Sequence, residues 1–248
     1  PEETKWVLFD GDGSYLIGSF DGEEFSPETA KMKSDFGKNY YATQTWSNIP
    51  EEDGRTIQIA WMRGGEFPGM PFNGQMTFPS VLNLVKLKTG YKLTRKPVEE
   101  IELLYDKDYT WEEENLIPGL NKNLVKRVNH DCLHIKGEFD LKSCNNFGFM
   151  IRKGRNRPGT ELLYDARRGI ISLLGSKAPL LPRGNKITLE ILVDRASIEV
   201  YANGGEVVIS NCFTPTEKAD DLVLFNKGGE LGVDKLSIYE IESAWQRD

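Results

Sequence analysis

The sequence predicts an all-β protein from three observations. Apolar and polar residues alternate with a period of two at residues 56–61 and 186–193, which is the pattern of half-buried strands. Turn signals recur about every ten residues, and Asn203-Gly204-Gly205 between two alternating runs predicts a tight hairpin, because Asn and Gly accept positive φ. No segment keeps a 3.6-residue period. Only residues 97–104 are compatible with a short helix, and the same pattern also fits a strand.

Two zones of the chain differ in aromatic content, in loop length and in the spacing of their strands. Residues 5–96 are rich in aromatic side chains and have long connections with Gly, Pro and Asn, whereas from about residue 107 the strands are evenly spaced with short polar loops, as in a two-sheet sandwich. Residues 95–100 have the character of a linker, since Pro97 cannot donate a ladder hydrogen bond. We therefore predict one domain at 1–96 and a β-sandwich domain at 97–248.

The composition narrows the classes of partner. The formal net charge is −7 and the sequence contains no basic patch, which argues against a nucleic-acid partner. No apolar run reaches the length of a transmembrane helix, so no membrane partner is predicted. The chain begins with Pro1, which suggests a processed chain or a fragment. Whether it forms a homo-oligomer stays open.

Cysteine and histidine are too sparse for a metal centre. Cys132, Cys144 and Cys212 are too few and too widely spaced for a zinc site or a disulfide scaffold. We expect three free thiols, with a single bridge as the alternative. His130 and His134 are four positions apart in an alternating segment, so they are interpreted as two polar strand positions, because a metal needs more ligands. We predict no metal site and no cofactor.

Five parts of the sequence form a recognisable series of motifs. They are YLIGSFDGEEF at 15–25, SDFGKNYYATQT at 34–45, IQIAWM at 57–62 with MPFNGQMTFP at 70–79, LEILVDRASIEVYANG at 189–204 and LSIYEIESAW at 236–245. In this order they resemble glycoside hydrolase family 32, which includes levanases, inulinases and invertases. The resemblance implies partial β-propeller blades, the end of a five-bladed propeller, followed by a two-sheet β-sandwich. It also implies a fructan or sucrose-type carbohydrate as the partner of the intact enzyme, and we expect an extracellular or periplasmic location.

The motifs that carry catalysis in this family do not occur in the sequence. The family's chemistry is retaining hydrolysis of β-fructofuranosyl linkages by two carboxylates about 5 Å apart. Its nucleophile belongs to an Asn-Asp-Pro-Asn motif, its acid/base to a Glu-Cys motif, and a third carboxylate to Arg-Asp-Pro. None of them is present, and the three cysteines follow Asp131, Ser143 and Asn211. We therefore predict no catalytic residue in this chain.

Three residues are predicted to contact substrate by their match to family motifs. Asp35 and Lys38 of the Asp-Phe-Gly-Lys run correspond to residues that hold the leaving-group sugar, since a carboxylate accepts from hydroxyls and an ammonium donates to them. The alternative is an exposed Asp35–Lys38 ion pair that contributes little to stability. Phe72 stands where relatives often carry a pocket Trp, and a core role is the alternative. Ser80 departs from the family's usual Arg.

Asp194-Arg195 follows an alternating run and is interpreted as a turn carboxylate with its neighbour rather than a catalytic pair.

The leading hypothesis for the whole chain is the C-terminal part of a fructan hydrolase whose other part supplies the chemistry. The alternatives are a non-catalytic carbohydrate-binding or structural module and an unrelated lectin-like sandwich. An upstream reading frame with the missing motifs would distinguish the first two.

Overall fold

The computed structural model describes residues 4–88, 90–120, 123–155, 158–214 and 219–245. Within these ranges the chain consists of β-strands joined by turns and loops, with one short 3-10 helix at Glu99–Leu104. The all-β prediction is confirmed, and the segment that fitted either a helix or a strand is this 3-10 helix. No helix in the described ranges has the length and apolarity to cross a membrane.

Two small antiparallel sheets form the N-terminal part. The first has the order β1-β2-β3, with β4 also paired to β2, and its strands are β1 (Trp6–Phe9), β2 (Ser14–Phe20), β3 (Phe25–Pro27) and β4 (Met32–Lys33). The second has the order β5-β6-β7-β8, and its strands are β5 (Tyr41–Thr45), β6 (Thr56–Trp61), β7 (Ser80–Leu87) and β8 (Gly90–Pro97). Together with the C-terminal part they give partial propeller blades followed by a sandwich.

The structure corrects two expectations in the second sheet. The predicted linker begins too early, because Arg95 lies inside β8, paired with Leu82 of β7 and buried. In β6 the expected half-buried alternation is also wrong. Gln58 is buried, and its Oε1 accepts from the Tyr40 hydroxyl at 2.7 Å, which satisfies that buried oxygen. Trp61, by contrast, is exposed.

The C-terminal part consists of two antiparallel sheets. The six-stranded sheet has the order β17-β16-β15-β10-β19-β9, and the five-stranded sheet has the order β14-β13-β12-β11-β18. Their strands are β9 (Tyr105–Leu116), β10 (Leu133–Asp140), β11 (Asn146–Lys153), β12 (Thr160–Asp165), β13 (Ile170–Leu173), β14 (Ser176–Pro179), β15 (Lys186–Val193), β16 (Ser197–Ala202), β17 (Val207–Cys212), β18 (Asp221–Asn226) and β19 (Leu231–Ile241).

The main core lies between these two sheets. The alternation predicted for β15 is confirmed, because Ile187, Leu189 and Ile191 are all buried in this core. Phe139 and Phe147 meet inside it with ring centroids 4.8 Å apart. Each fully buried aliphatic side chain contributes about 1.5–3 kcal/mol of transfer free energy, so this core is the main stabilising element of the C-terminal part.

The predicted hairpin and the free thiols are also confirmed. β16 pairs with β17 across residues 203–206, where φ is 49° at Asn203, 68° at Gly204 and 85° at Gly205. All three cysteines are free, although of these only Cys144 is buried. His134 is buried in β10, whereas His130 precedes that strand. In the described ranges no group of three or more His, Cys, Asp or Glu side chains is arranged to hold a metal ion.

Candidate functional site

The Asp-Phe-Gly-Lys segment lies against β17 of the sandwich. The Phe36 N–H donates to the Val208 carbonyl at 2.8 Å, and the Asn39 N–H donates to the Ser210 carbonyl at 3.2 Å. A Cβ on Gly37 would lie 2.0 Å from the Ser210 carbonyl oxygen, so only glycine allows this approach. The segment is therefore held to the sandwich by main-chain contacts, which fix the positions of its side chains.

The carboxylate of Asp35 is fully engaged inside this contact. Its Oδ1 accepts from the Gly37 N–H at 2.6 Å and from the Ser210 N–H at 3.0 Å. Its Oδ2 accepts from Arg95 Nη2 at 2.5 Å and from the Ser210 hydroxyl at 2.6 Å. Only 1% of the side chain is exposed. The exposed Asp35–Lys38 pair that the sequence left open is wrong, because the ionic partner of Asp35 is Arg95.

Arg95 brings a buried positive charge to the same place. Its guanidinium carbon lies 4.1 Å from the Tyr40 ring centroid and 5.9 Å from that of Tyr201, in the range of cation–π contacts. With the Asp35 ion pair, these contacts compensate for the removal of the charge from water. We use the name seam for the contact formed by Asp35, Tyr40 and Arg95 on one side and Glu199, Tyr201 and Ser210 on the other.

Glu199 lies in the seam because both faces of β16 are covered. Residues Ile198 and Val200 enter the sandwich core, so strand alternation directs Glu199 to the opposite face. There its carboxylate accepts from the Phe78 N–H at 2.8 Å and from the Tyr201 hydroxyl at 2.8 Å. Burial raises the pKa of the Glu199 carboxyl to about 7, although these two hydrogen bonds and Arg95 lower it.

Lys38 is the exposed member of the segment. Its N–H donates to Asn211 Oδ1 at 2.7 Å, which fixes the backbone. The side chain reaches toward the β13–β14 turn, where a Cβ on Gly175 would lie 3.0 Å from the Lys38 Nζ. The ammonium is therefore at the surface, whereas the Asp35 carboxylate, which belongs to the same segment, is enclosed.

Phe72 lies elsewhere, on the long connection between β6 and β7. Its ring is 42% exposed and tilts against Phe67, with centroids 5.3 Å apart. It borders a cavity of about 850 Å³ whose described lining includes neither Asp35 nor Lys38. The structure therefore brings Asp35 and Lys38 into one segment but does not bring Phe72 to them.

Ser80, the departure from the family motif, is buried at the seam. Its hydroxyl lies 3.2 Å from the Tyr201 hydroxyl and donates to the Phe78 carbonyl at 3.2 Å. Sequence patterns did not predict Arg95, Glu199 and Ser210 as members of this network. A carboxylate on the polar positions of an alternating strand is normally solvated, and no local pattern indicates that another segment covers it.

The comparison with protein families covers nearly the whole described chain. Residues 9–97 match the family described as "Glycosyl hydrolases family 32 N-terminal domain". Residues 100–240 match the family described as "Glycosyl hydrolases family 32 C terminal". The two matches follow one another along the chain, in the region of β8 and the 3-10 helix.

Curated relatives and solved structures agree with these matches. A levanase of Bacillus subtilis (strain 168) is 29% identical over 99% of this chain, which spans 41% of that protein. A fructan beta-fructosidase of Streptococcus mutans is 27% identical over 97% of the chain, which spans 20% of that protein. The exo-inulinase structure from Aspergillus awamori covers 99% of the chain with a TM-score of 0.80 at 23% identity, and the chain covers 55% of it. The chain belongs to glycoside hydrolase family 32.

Proposed function

We propose that this chain is the C-terminal portion of a glycoside hydrolase that cleaves β-fructofuranosyl linkages in levan, inulin or sucrose. The observation that carries the proposal is that both family 32 matches lie in this chain, while the motifs for the catalytic carboxylates do not. The chain spans 41% of one relative named levanase and 30% of another, which leaves room for those motifs elsewhere in such a protein.

In the intact enzyme the reaction is retaining hydrolysis. One carboxylate attacks the anomeric carbon, while a carboxylic acid protonates the leaving oxygen. The second group then acts as a base on the water that hydrolyses the fructosyl-enzyme intermediate. Both groups belong to the part of the enzyme outside this sequence. The role of this chain is to form part of the rim of the substrate pocket and to hold that rim in place against the sandwich.

Lys38 is the residue of this chain that we place in direct contact with the leaving-group sugar. Its ammonium is at the surface and its backbone is fixed by Asn211, so it can donate to hydroxyls from a defined position. Asp35 supports binding by holding the segment in place, because its four acceptor contacts leave no oxygen free for a sugar. Phe72 offers an exposed ring to the apolar face of a sugar.

We also propose the division of the chain into a propeller part at 1–96 and a sandwich at 97–248. The sandwich supports the propeller through the seam, which carries the Asp35–Arg95 ion pair. An extracellular or periplasmic location is proposed for the intact protein, and a relative named extracellular exo-inulinase from Aspergillus niger supports it.

The test compares the chain alone with the chain joined to an upstream family 32 segment that carries the missing motifs. The chain alone releases no fructose from levan, inulin or sucrose, because losing both catalytic carboxylates removes several orders of magnitude in rate. The joined protein releases fructose, and an Asp→Asn change of its Asn-Asp-Pro-Asn nucleophile abolishes the release. Fructose release by the chain alone, lost on mutating one of its own carboxylates, would overturn the proposal.

A further inference from the structure

The dipeptide Asn-Gly occurs twice in the chain, in two different structural settings. Asn73-Gly74 lies on the connection between β6 and β7, and Asn203-Gly204 lies in the hairpin between β16 and β17. In an Asn-Gly dipeptide the asparagine side chain can cyclise on the following main-chain nitrogen, because glycine has no Cβ to obstruct the attack. The two copies therefore show how the fold treats the same chemistry at two places in one molecule.

The fold protects Asn203 from this reaction. Only 4% of this residue is exposed. Its Oδ1 accepts from the Thr188 N–H at 3.2 Å, and its Nδ2 donates to the Leu181 carbonyl at 2.8 Å. Cyclisation expels Nδ2 and turns the side-chain carbonyl toward the Gly204 nitrogen, so both hydrogen bonds are lost and buried polar groups are left without partners. Asn203 therefore reacts only when the hairpin opens.

Asn73 has none of these restraints. It is exposed, and its side chain forms no hydrogen bond with another residue in the described part of the chain. The same holds for the Gly74 N–H, the nitrogen that attacks. No atom beyond the adjoining residues lies within 4 Å of the Cβ position of Gly74. No described contact therefore opposes rotation of the Asn73 side chain onto that nitrogen.

The reaction needs only water. The Gly74 nitrogen bonds to Cγ of Asn73 and the Cγ–Nδ2 bond breaks, so that Nδ2 leaves as ammonia with the proton that the Gly74 nitrogen gives up. Water then opens the succinimide ring. Attack at Cγ gives aspartate, whereas attack at the main-chain carbonyl carbon gives isoaspartate, in which the chain runs through the former side chain. Either product is an anion, which lowers the formal net charge by one, from −7 to −8.

We propose that Asn73 is a site of spontaneous covalent modification, converted through a succinimide to aspartate and isoaspartate, whereas Asn203 stays an asparagine as long as the hairpin is folded. The isoaspartyl product carries a free α-carboxylate. That group is the one that protein isoaspartate methyltransferases esterify with a methyl group from S-adenosylmethionine, so the modified chain is a substrate for this class of enzyme.

The modification acts on the neighbouring Phe72. Isoaspartate adds one atom to the main chain between Phe72 and Gln75. Gln75 is bound to the sandwich, because its Nε2 donates to the Ser197 hydroxyl at 2.7 Å. The displacement therefore falls on Phe72, whose exposed ring contacts Phe67 with centroids 5.3 Å apart. The new carboxylate also lies one residue from this ring. Any effect on sugar binding by Phe72 rests on the proposed function.

The experiment ages the folded 248-residue chain in mildly alkaline buffer at physiological temperature and follows both dipeptides by peptide mass spectrometry. We expect the Asn73 peptide to gain the mass difference between an amide and an acid and to separate into two isomers, of which an isoaspartate methyltransferase labels one. The Asn203 peptide should convert at least about tenfold more slowly, because its buried hydrogen bonds must break first. In guanidinium chloride, which unfolds the hairpin, the two rates should become similar.

Gly74→Ala is the matched variant. It keeps Asn73 and adds a methyl group where the space is open, so it is expected to fold, and its thermal midpoint checks that it does. Conversion of Asn73 should be slower in this variant, because the methyl group obstructs the attacking nitrogen. An Asn73 that stays intact in the folded parent, or equal rates at Asn73 and Asn203 in the folded parent, overturns the modification site.

The effect on the substrate is measured separately in the joined enzyme, as KM for inulin before and after ageing. We expect a higher KM after ageing, since Phe72 is displaced. An unchanged KM in enzyme that mass spectrometry shows to be modified overturns the effect on Phe72 and leaves the modification site. Absent hydrolysis before ageing removes the proposed function, whereas the modification site is judged on the chain alone.

Discussion

Asp35 Oδ2 lies 2.5 Å from Arg95 Nη2, and this ion pair is buried at the contact between the second sheet and the sandwich. Sixty positions of sequence separate the two residues, and the Ser210 hydroxyl of β17 completes the contact at 2.6 Å from Asp35. Three separate segments of the chain therefore meet at one carboxylate. Removing that carboxylate affects all three, which makes its contribution to stability measurable.

Asp35→Ala is expected to destabilise the chain strongly. The change leaves the Arg95 guanidinium buried without its counter-charge, and removing one partner of a buried pair costs about 3–5 kcal/mol. Urea unfolding of the parent and the variant measures the difference. Lys38→Ala is the control, because its side chain is exposed, and we expect a change of less than about 0.5 kcal/mol. Equal midpoints for the parent and Asp35→Ala would contradict the buried pair.

The neutral form of Glu199 is expected to make stability depend on pH. Burial raises the pKa of this carboxyl to about 7 from an ordinary 4.5, so the folded chain retains a proton that the unfolded chain loses between these values. The contribution of this group to the free energy of unfolding is therefore greatest below pH 4.5, falls as the pH rises toward 7, and is constant above it.

Glu199→Gln removes this dependence, because an amide does not titrate. Relative to the parent, the free energy of unfolding of the variant should therefore increase with pH. The expected increase is on the order of 1 kcal/mol per pH unit between about pH 5 and 7. Urea unfolding at several pH values measures it. Glu138→Gln, at an exposed position of β10, should give a curve parallel to that of the parent. A parallel curve for Glu199→Gln as well would show that Glu199 is ionised in the fold.

Gly37→Ala tests the close approach of the Asp-Phe-Gly-Lys segment to β17. The added Cβ would lie 2.0 Å from the Ser210 carbonyl oxygen, so the segment has to move, and overpacking of this kind costs about 1–3 kcal/mol. Gly11→Ala is the matched control, because no atom beyond the adjoining residues lies within 4 Å of the Cβ position there. Thermal unfolding compares the two, and equal midpoints would place the segment away from β17.

Lys38→Ala tests the substrate contact in the joined enzyme. A hydrogen bond from a charged donor contributes roughly 1.5–3 kcal/mol, so kcat/KM should fall about tenfold to a hundredfold, mainly through a higher KM. The thermal midpoint should barely change, since the side chain is exposed. Lys88→Ala, another exposed lysine, should leave the kinetics unaltered. If the Lys38→Ala enzyme has the same kinetics as the parent on sucrose, inulin and levan, then Lys38 does not contact the substrate.

Local sequence was sufficient to predict the all-β class, the hairpin at Asn203–Gly205 and the core face of β15. Each of these depends on neighbouring residues only. Alternation with a period of two places Ile187, Leu189 and Ile191 on one face, and the positive φ values at 203–205 require the residues found there. The family motifs are also runs of adjacent residues, so the resemblance follows from the order of amino acids alone.

The segments that cover the polar faces of the strands are set by long-range packing, which the local sequence does not specify. The alternation that sends Ile198 into the core sends Glu199 to the opposite side, and nothing local shows that Phe78 and Arg95 close over it. Arg95 resembled part of a linker because it precedes Pro97, yet it forms the buried partner of Asp35. A strand pattern specifies which face a side chain occupies, whereas burial of that face depends on segments far away in the sequence. For this reason the same local pattern is compatible with a solvated carboxylate and with the buried Glu199 carboxyl of the seam.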